Sequence, residues 1–160
     1  MMNIQLICVG KLKEKYFLQA VLEYQKRLST LCKLEIKEIA EQKLSQFPSP
    51  AQANAALEKE ACEIKAHISK GAVTVALCVE GTEMSSGELA RAFSSWSVNG
   101  KSNICFIIGG SFGLDEGIKS DASLKLSMSR MTFPHNLARV LLLEQIYRAF
   151  SILKGAKYHK

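Results

Sequence analysis

The sequence lacks the motifs that mark a metal site, a redox dithiol or a membrane protein. Its five cysteines form no Cys-x-x-C pair, so they signal neither a zinc site nor a redox centre. No apolar run approaches the ~20 residues of a membrane-spanning helix, and no basic region precedes an apolar core at the N-terminus, as it would in a secretory signal. We therefore expect a reduced, cytoplasmic protein without a membrane anchor or a bound metal.

The sequence also lacks the composition of a disordered or fibrous chain. Hydrophobic residues make up 48% and charged residues 22% of the 160 residues, which is an ordinary globular mixture. A chain of this length suits one domain and buries about two-thirds of its unfolded surface without a disulfide. We therefore predict a single domain over residues 1–160.

Acidic residues are scarce near the C-terminus. Lys and Arg outnumber Asp and Glu by 21 to 15, for a net charge of +6, yet residues 1–124 carry 14 side chains of each sign. The last 36 residues hold seven basic side chains against Glu144 alone. Such a cationic segment favours an anionic partner such as nucleic acid. The alternative is a basic helix end that complements its own dipole, and charge alone does not choose between the two.

The spacing of apolar residues predicts the secondary structure. Strands are predicted at 3–9, 34–37, 72–79, 103–108 and 124–127. Helices are predicted at 13–31, 55–70, 85–96, 115–122 and 135–153. The segment 41–54 is polar and contains two prolines, so we predict a loop there.

The order of these elements predicts an α/β fold. Strands alternate with helices and are mostly apolar throughout, which favours a mostly parallel sheet with helices on both faces. The final helix is apolar around most of its circumference, so it must be buried on nearly every side. In a chain this small, such burial favours a homodimer formed through that helix. A central position within a single chain is the alternative.

Three segments follow predicted strands and carry residues suited to a ligand site: 77–81, 108–113 and 127–135. Ligands of open α/β sheets bind beyond the carboxyl ends of the strands. Gly109 and Gly110 let a ligand approach the backbone without a Cβ in the way, although a tight turn without a ligand explains them equally well. The glycine spacing matches neither a dinucleotide-binding motif nor a P-loop.

Two further features have both a functional and a structural interpretation. A neutral imidazole at His135, where the last helix begins, can exchange a proton near pH 7; a capping histidine is the alternative. Tyr158 and His159 lie between two lysines at the C-terminus, a combination that can hold phosphate and stack on a base. A frayed tail that aids solubility is the alternative there.

Several stretches resemble one known family. They are 7–14 (ICVGKLKE), 106–111 (FIIGGS), 131–135 (MTFPH), 139–141 (RVL), 144–150 (EQIYRAF) and 158–160 (YHK). These motifs are similar to those of the ribosomal large-subunit pseudouridine methyltransferase H family, which are SPOUT-class enzymes with an α/β knot. The resemblance runs from end to end, and only the segment 41–54 carries no recognisable motif.

The resemblance implies a homodimer that uses S-adenosylmethionine to methylate N3 of a pseudouridine in 23S rRNA of the assembled ribosome. It also implies a C-terminal trefoil knot, which connection rules would otherwise make improbable. The family usually has an acidic residue directly after Leu77, whereas this chain has Cys78 there and Glu80 two places on. By resemblance, the cofactor-binding residues are Leu77, Gly109, Gly110, Met128, Ser129, Arg130, Met131, Thr132 and Phe133.

Methyl transfer to N3 requires the loss of a proton, so groups that stabilise the developing anion are expected near the base. We predict Arg139 and His159 in that role, His135 as a base or orienting group, and Tyr158 as a ring that stacks on an extruded base. Two other hypotheses stay open. One is a non-catalytic ribosome-binding factor with the same fold, and the other is an α/β enzyme that binds a nucleotide phosphate.

Overall fold

The computed structural model describes residues 1–159 and, except for His159, their side chains. Strands and helices alternate along the chain, as predicted. The elements are β1 (Asn3–Val9), α1 (Lys15–Leu28), β2 (Lys33–Ile39), α2 (Pro50–His67), β3 (Val73–Glu83), α3 (Ser86–Val98), β4 (Asn103–Ile108), α4 (Glu116–Asp121), β5 (Leu124–Ser127) and α5 (His135–Leu153), followed by a 3-10 turn at Lys157–His159.

The five strands form one sheet in the order β2-β1-β4-β3-β5, and every neighbouring pair is parallel. The predicted parallel sheet is therefore confirmed. Because all strands run the same way, their carboxyl ends meet at one edge of the sheet, and the loops that follow them converge there. This edge carries the candidate site.

Helices cover both faces of the sheet, and each strand contributes side chains to two separate cores because neighbouring residues point to opposite faces. In β1, Leu6 and Cys8 pack towards α1, α3 and α5, whereas Ile7 and Val9 pack towards α2 and α4. Burial on both sides explains why β1 and β4 are apolar along most of their length, whereas the edge strand β2 alternates apolar with exposed charged residues. Among the described residues, no helix is both long and apolar enough to cross a membrane.

Helix α5 occupies the predicted residues and lies between α1 and α3. Leu142, Leu143 and Ile146 are fully buried there. No residue from His135 to Ile152 is fully exposed, so the single chain already covers much of the apolar circumference. This burial supports the alternative of a central helix, and the homodimer stays a prediction.

The predicted loop at 41–54 is wrong at its C-terminal end, because α2 begins at Pro50 rather than Ala55. Ser49 caps the helix by accepting a hydrogen bond from the Gln52 N–H, and the Gln52 side chain accepts one from the Ser49 N–H. Pro50 occupies the first helical position, where its missing N–H costs nothing. The prolines thus mark the start of a helix as well as the end of a loop.

Strand β3 also differs from the prediction, since it continues past Val79 to Glu83. Leu77 and Thr82 both pair with Leu126 of β5, so the four residues between them bulge out of the ladder. Gly81 lies in this bulge, and a Cβ there would be 2.8 Å from the backbone of Lys125. Glycine is therefore required for the close approach of β3 to β5.

Candidate functional site

A pocket of about 680 Å³ opens at the carboxyl ends of β3, β4 and β5. All three segments predicted from the sequence meet in its wall. Of the nine predicted cofactor residues, all except Arg130 line it: Leu77, Gly109, Gly110, Met128, Ser129, Met131, Thr132 and Phe133. The structure thus brings together residues that are about 50 positions apart in the chain.

Arg130 is the exception among these residues. Its side chain is 92% exposed and does not line the pocket, and its Nε is 3.8 Å from a carboxylate oxygen of Glu83. An exposed pair at this distance contributes little to stability. Arg130 is therefore placed to contact something outside the pocket rather than a ligand within it.

Gly109 and Gly110 form a tight turn, which is one of the two interpretations that the sequence left open. A Cβ on Gly109 would overlap the backbone of Gly113, and a Cβ on Gly110 would lie 2.6 Å from Oε1 of Glu41. The chain's own backbone and a carboxylate therefore exclude larger residues here. The glycines shape a tight loop, and that loop then forms one wall of the pocket.

Glu41 is a site residue that sequence reasoning missed. It lies in the segment without a recognisable motif, and its Oε1 accepts a hydrogen bond of 2.8 Å from the Ser111 N–H. The contact joins residues 70 positions apart, so no local pattern could reveal it. Hydrogen bonds to a carboxylate are stronger than those between neutral groups.

The loop between β5 and α5 is shaped by its own serines. The Ser127 hydroxyl donates to the Ser129 carbonyl oxygen at 2.9 Å, and the Ser129 hydroxyl accepts from the Met131 N–H at 3.0 Å. Pro134, with its rigid φ, precedes α5 as the N-cap residue. His135, the first residue of α5, lines the pocket.

Another part of the pocket wall contains an ion pair. Lys119 Nζ is 2.6 Å from Oε1 of Glu80, and both residues line the pocket. The hydrogen bond from Lys119 holds the pKa of the Glu80 carboxyl below its usual value. Burial raises the pKa of the neighbouring Cys78 thiol, which is therefore neutral at pH 7. The bulge in β3 thus presents one carboxylate to the pocket, at Glu80 instead of position 78.

Arg139 does not line the pocket, although it was predicted to act on the substrate. It is 1% exposed, and its guanidinium donates to Glu38 Oε2 at 2.7 Å and to the Gly10 carbonyl oxygen at 3.1 Å. A buried charge with such partners fixes the elements it joins. Arg139 therefore ties α5 to β2 and to the loop after β1.

Tyr158 also lies away from the pocket, and its ring is already covered. The Arg148 guanidinium carbon is 4.8 Å from the ring centroid, and the ring of Tyr147 meets it edge-on at 4.8 Å. The Tyr158 hydroxyl donates to Glu144 at 3.3 Å, and Arg148 binds the same carboxylate at 2.7 Å. The tail is thus folded against α5 in place of fraying. The predicted His159 side chain lies outside the described residues.

His135 and Tyr158 belong to opposite ends of α5. Arg148, which holds the Tyr158 carbonyl oxygen at 3.3 Å, is 13 residues beyond His135, or about 20 Å along a helix axis at 1.5 Å per residue. One chain therefore does not bring the tail to its own pocket. Of the predicted catalytic set, the pocket of the described structure contains His135 alone.

The pocket has the size and lining of a small-molecule site. Such sites enclose about 300–1,000 Å³ and combine apolar walls with a few polar groups. Here Leu77, Ile108 and Leu126 supply apolar wall, and the Glu80–Lys119 pair and the loop backbones supply hydrogen-bonding groups. Among residues 1–159, no cluster of His, Cys, Asp and Glu side chains could hold a metal ion.

Comparisons with known proteins agree on one family. Residues 2–159 match the family model described as "Predicted SPOUT methyltransferase". The chain is 48% identical over 159 residues to "Ribosomal RNA large subunit methyltransferase H" of Clostridium novyi and 46% identical over 159 residues to the protein of that name from Bifidobacterium animalis subsp. lactis. Each alignment covers 99% of this chain and 100% of the relative.

A solved structure shows the same fold at low identity. It is that of "a probable methylase family protein" from Haemophilus influenzae, with a TM-score of 0.54 and 14% identity over 98% of this chain and 70% of the other. Similarity at this identity concerns the fold alone. The predicted SPOUT-like fold class is confirmed by the family match, and SPOUT methyltransferases are known to have the knot that the resemblance implied.

Proposed function

The chain belongs to the SPOUT methyltransferase family, and from that premise we propose that it methylates N3 of a pseudouridine in 23S rRNA of the assembled ribosome, in the cytoplasm. SPOUT methyltransferases use S-adenosylmethionine as the methyl donor. The relatives' printed name supports large-subunit ribosomal RNA as the substrate class. The pseudouridine and its N3 position come from the resemblance described above.

The observation that carries the proposal is the meeting of three strand-end loops in one pocket. Eight of the nine residues expected to bind the cofactor line it, although they come from the end of β3 and from the loops after β4 and β5. S-adenosylmethionine combines an aromatic base, a sugar diol and a charged amino acid, and the pocket offers apolar wall, an ion pair and loop backbone. The residues present therefore fit that group.

Bound there, S-adenosylmethionine supplies an electrophilic methyl group. The chain's own contribution is first to position and to exclude water, since holding two reactants in line accounts for much of a rate enhancement. The Gly109–Gly113 loop, braced by Glu41, and the loop from Met128 to Phe133 form two fixed walls for this purpose. The rigid backbone keeps the geometry from relaxing before the reaction.

His135 is the titratable side chain we assign to the proton of N3. It lines the pocket at the first turn of α5, and imidazole is the side chain that enzymes use most often for proton transfer. The partial positive charge of the helix N-terminus also favours the anion formed at the base. Arg139 acts on the reaction through the Gly10 carbonyl and Glu38, so we assign it a positioning role.

Tyr158 and His159 reach a pocket only if a second copy supplies them. Their own pocket lies about 20 Å away along α5, and a two-fold dimer places the tail of one protomer beside the other's pocket when the α5 helices meet. The half-buried residues Leu137, Val140 and Leu141 provide apolar surface on α5 for that contact. The functional unit we propose is therefore a homodimer.

The decisive test is methyl transfer to ribosomes isolated from cells that lack this modification. The purified chain is incubated with labelled S-adenosylmethionine and these assembled ribosomes, and the labelled nucleotide is mapped in the 23S rRNA. We expect label at N3 of one pseudouridine, and loss of label with the pocket-filling variant Thr132→Trp. Tight ribosome binding without any transfer would contradict the proposal and favour the non-catalytic binding factor.

A further inference from the structure

We propose that Lys11, Lys13 and Lys15 form a preorganised RNA-phosphate-binding surface beside the pocket. This surface, the lysine edge, rests on the proposed function, because RNA is the partner that brings phosphates to this side of the molecule. The three lysines lie within residues 1–124, where basic and acidic side chains are equal in number, so the net charge of that segment does not reveal a cationic surface. Their placement in the structure carries the inference.

The loop after β1 alternates anchored and exposed residues. The Gly10 carbonyl accepts from Arg139 at 3.1 Å, the Leu12 N–H donates to Glu38 at 3.1 Å, and the Glu14 carboxylate accepts from Asn136 at 3.3 Å. Each even-numbered residue from 10 to 14 is thus held by another element. Lys11, Lys13 and Lys15 alternate with these anchored residues.

All three lysines are exposed. Among the described residues, no ion pair involves any of them, whereas Lys65 and Lys119 pair with carboxylates. Neighbours two apart in the chain are at most about 7 Å apart. The lysine edge is therefore a row of unpaired cations on a backbone that does not have to be ordered on binding, which lowers the entropic cost of binding.

Lys15 occupies a position that is unfavourable for the helix itself. It is the first residue of α1, whose first turn contains no acidic residue, and the helix dipole there disfavours a cation. The preceding Glu14 does not cap α1 with its side chain, because that carboxylate accepts from Asn136. A local arrangement that works against helix stability is expected where a residue serves function.

The lysine edge adjoins the pocket through the start of α5. A Cβ at Gly10 would lie 3.5 Å from Nε2 of His135, a pocket residue, so the loop packs directly on the first turn of α5. Asn136 and Arg139 hold the same loop from α5. Tyr16, which follows Lys15, is 66% exposed and offers an aromatic ring beside the cations. Cations and a ring next to a methylation pocket suit the backbone of a single-stranded RNA segment.

The test compares two triple variants with the same change in charge. One replaces Lys11, Lys13 and Lys15 with Gln. The control replaces Lys33, Lys70 and Lys101 with Gln; all three are exposed and lie near the amino ends of β2, β3 and β4, at the opposite edge of the sheet. Binding to assembled ribosomes is measured against salt, together with methyl transfer and S-adenosylmethionine affinity.

Loss of three phosphate contacts should make the slope of log K against log[salt] shallower by about 2–3. We expect that change, and a fall of about tenfold or more in kcat/KM for ribosomes, in the lysine-edge variant alone, with cofactor affinity unchanged in both. Equal effects of the two triples, or no effect of the first, would overturn the proposal. The binding readout does not require transfer, so wild-type protein that binds but fails to methylate would contradict only the proposed function.

Discussion

Two charged side chains shape the site without lining its pocket. Glu41 reaches from the β2–α2 loop to the backbone of Ser111, and Arg139 reaches from α5 to the backbone of Gly10. Both satisfy backbone groups that no strand or helix partner satisfies, and each joins segments far apart in the chain. Substituting either residue should therefore change the geometry of loops whose own residues are unchanged.

Replacing Glu41 with Ala should weaken S-adenosylmethionine binding about tenfold, because losing the hydrogen bond to the Ser111 N–H costs about 1–1.5 kcal/mol. Glu41→Gln keeps an acceptor and should lose much less. Calorimetric titration measures both. Glu58→Ala, which removes an exposed carboxylate from α2, is the matched control. Equal affinity in Glu41→Ala and wild type would show that the glycine loop holds its shape unaided.

Replacing Arg139 with Met should lower the free energy of unfolding by about 2–3 kcal/mol, because the Glu38 carboxylate loses its ion-pair partner, the buried Arg139 guanidinium. Glu38 keeps some contact with water, with 37% of its side chain exposed, so we place the loss below that of a fully buried pair. Urea denaturation of Arg139→Met, Glu38→Gln and the double variant gives the coupling, which we expect to exceed about 1 kcal/mol. Additive losses would refute the pair as a stabilising unit.

At the scale of elements, two helices begin with the same device. Ser49 with Gln52, and Ser85 with Glu88, each form a reciprocal capping box. Only the second was predicted, because Pro48 and Pro50 favoured a loop around the first. A proline directly after a capping serine is typical of the first residue of a helix.

Removing either cap should destabilise the chain by a similar amount. Ser49→Ala and Ser85→Ala each lose the side-chain acceptor for an N–H of the first turn, and we expect each to lower the free energy of unfolding by about 1 kcal/mol. Denaturant melts compare them with Ser45→Ala, an exposed loop serine that leaves both boxes intact. A loss at Ser85 without one at Ser49 would indicate that Pro50 alone fixes the start of α2.

Local patterns predicted the elements that glycine and proline delimit. The bounds of β1, β4, β5 and α5 agree with the sequence to the residue; β1 and β4 are apolar runs closed by a glycine, and α5 is an apolar helix preceded by Pro134. The extension of β3 past Val79 was not predictable, since it depends on pairing with β5. The turn at the C-terminus likewise depends on Arg148 and Glu144, and the contact of Glu41 crosses 70 residues.

For the whole molecule, the net charge of +6 does not describe the surface that an anionic partner contacts, because some of the cations are paired within the chain. Arg139 and Arg148, two of the seven cations that created the C-terminal excess, are bound to carboxylates within the chain. Lys11, Lys13 and Lys15 are unpaired within the described residues, although they lie in the balanced part of the sequence. Lys125, Lys154 and Lys157 are likewise exposed and unpaired within the described residues, so the fold presents cations both in the C-terminal segment and in the loop after β1.

The distance between Tyr158 and the pocket of its own chain predicts that each active site is shared between two protomers. Thr132→Trp fills the pocket from an exposed position, and Tyr158→Ala removes the tail's ring; each homodimer should be inactive. In an equal mixture that has exchanged subunits, half of the dimers carry one intact pocket facing one intact tail. Methyl transfer should then recover to about a quarter of the wild-type level, as expected for a two-fold dimer with independent sites.

A double variant with both substitutions provides the control for that mixture. Paired with wild type, it gives a heterodimer in which the intact pocket faces the altered tail and the intact tail faces the filled pocket, so this heterodimer should be inactive. If each protomer completes its own site, the wild-type half stays active and the two single variants fail to complement. Native mass spectrometry establishes that heterodimers have formed, and a monomer there would contradict the shared site outright. The distance of about 20 Å along α5 from His135 to Arg148, which holds Tyr158, makes the shared arrangement the one we expect.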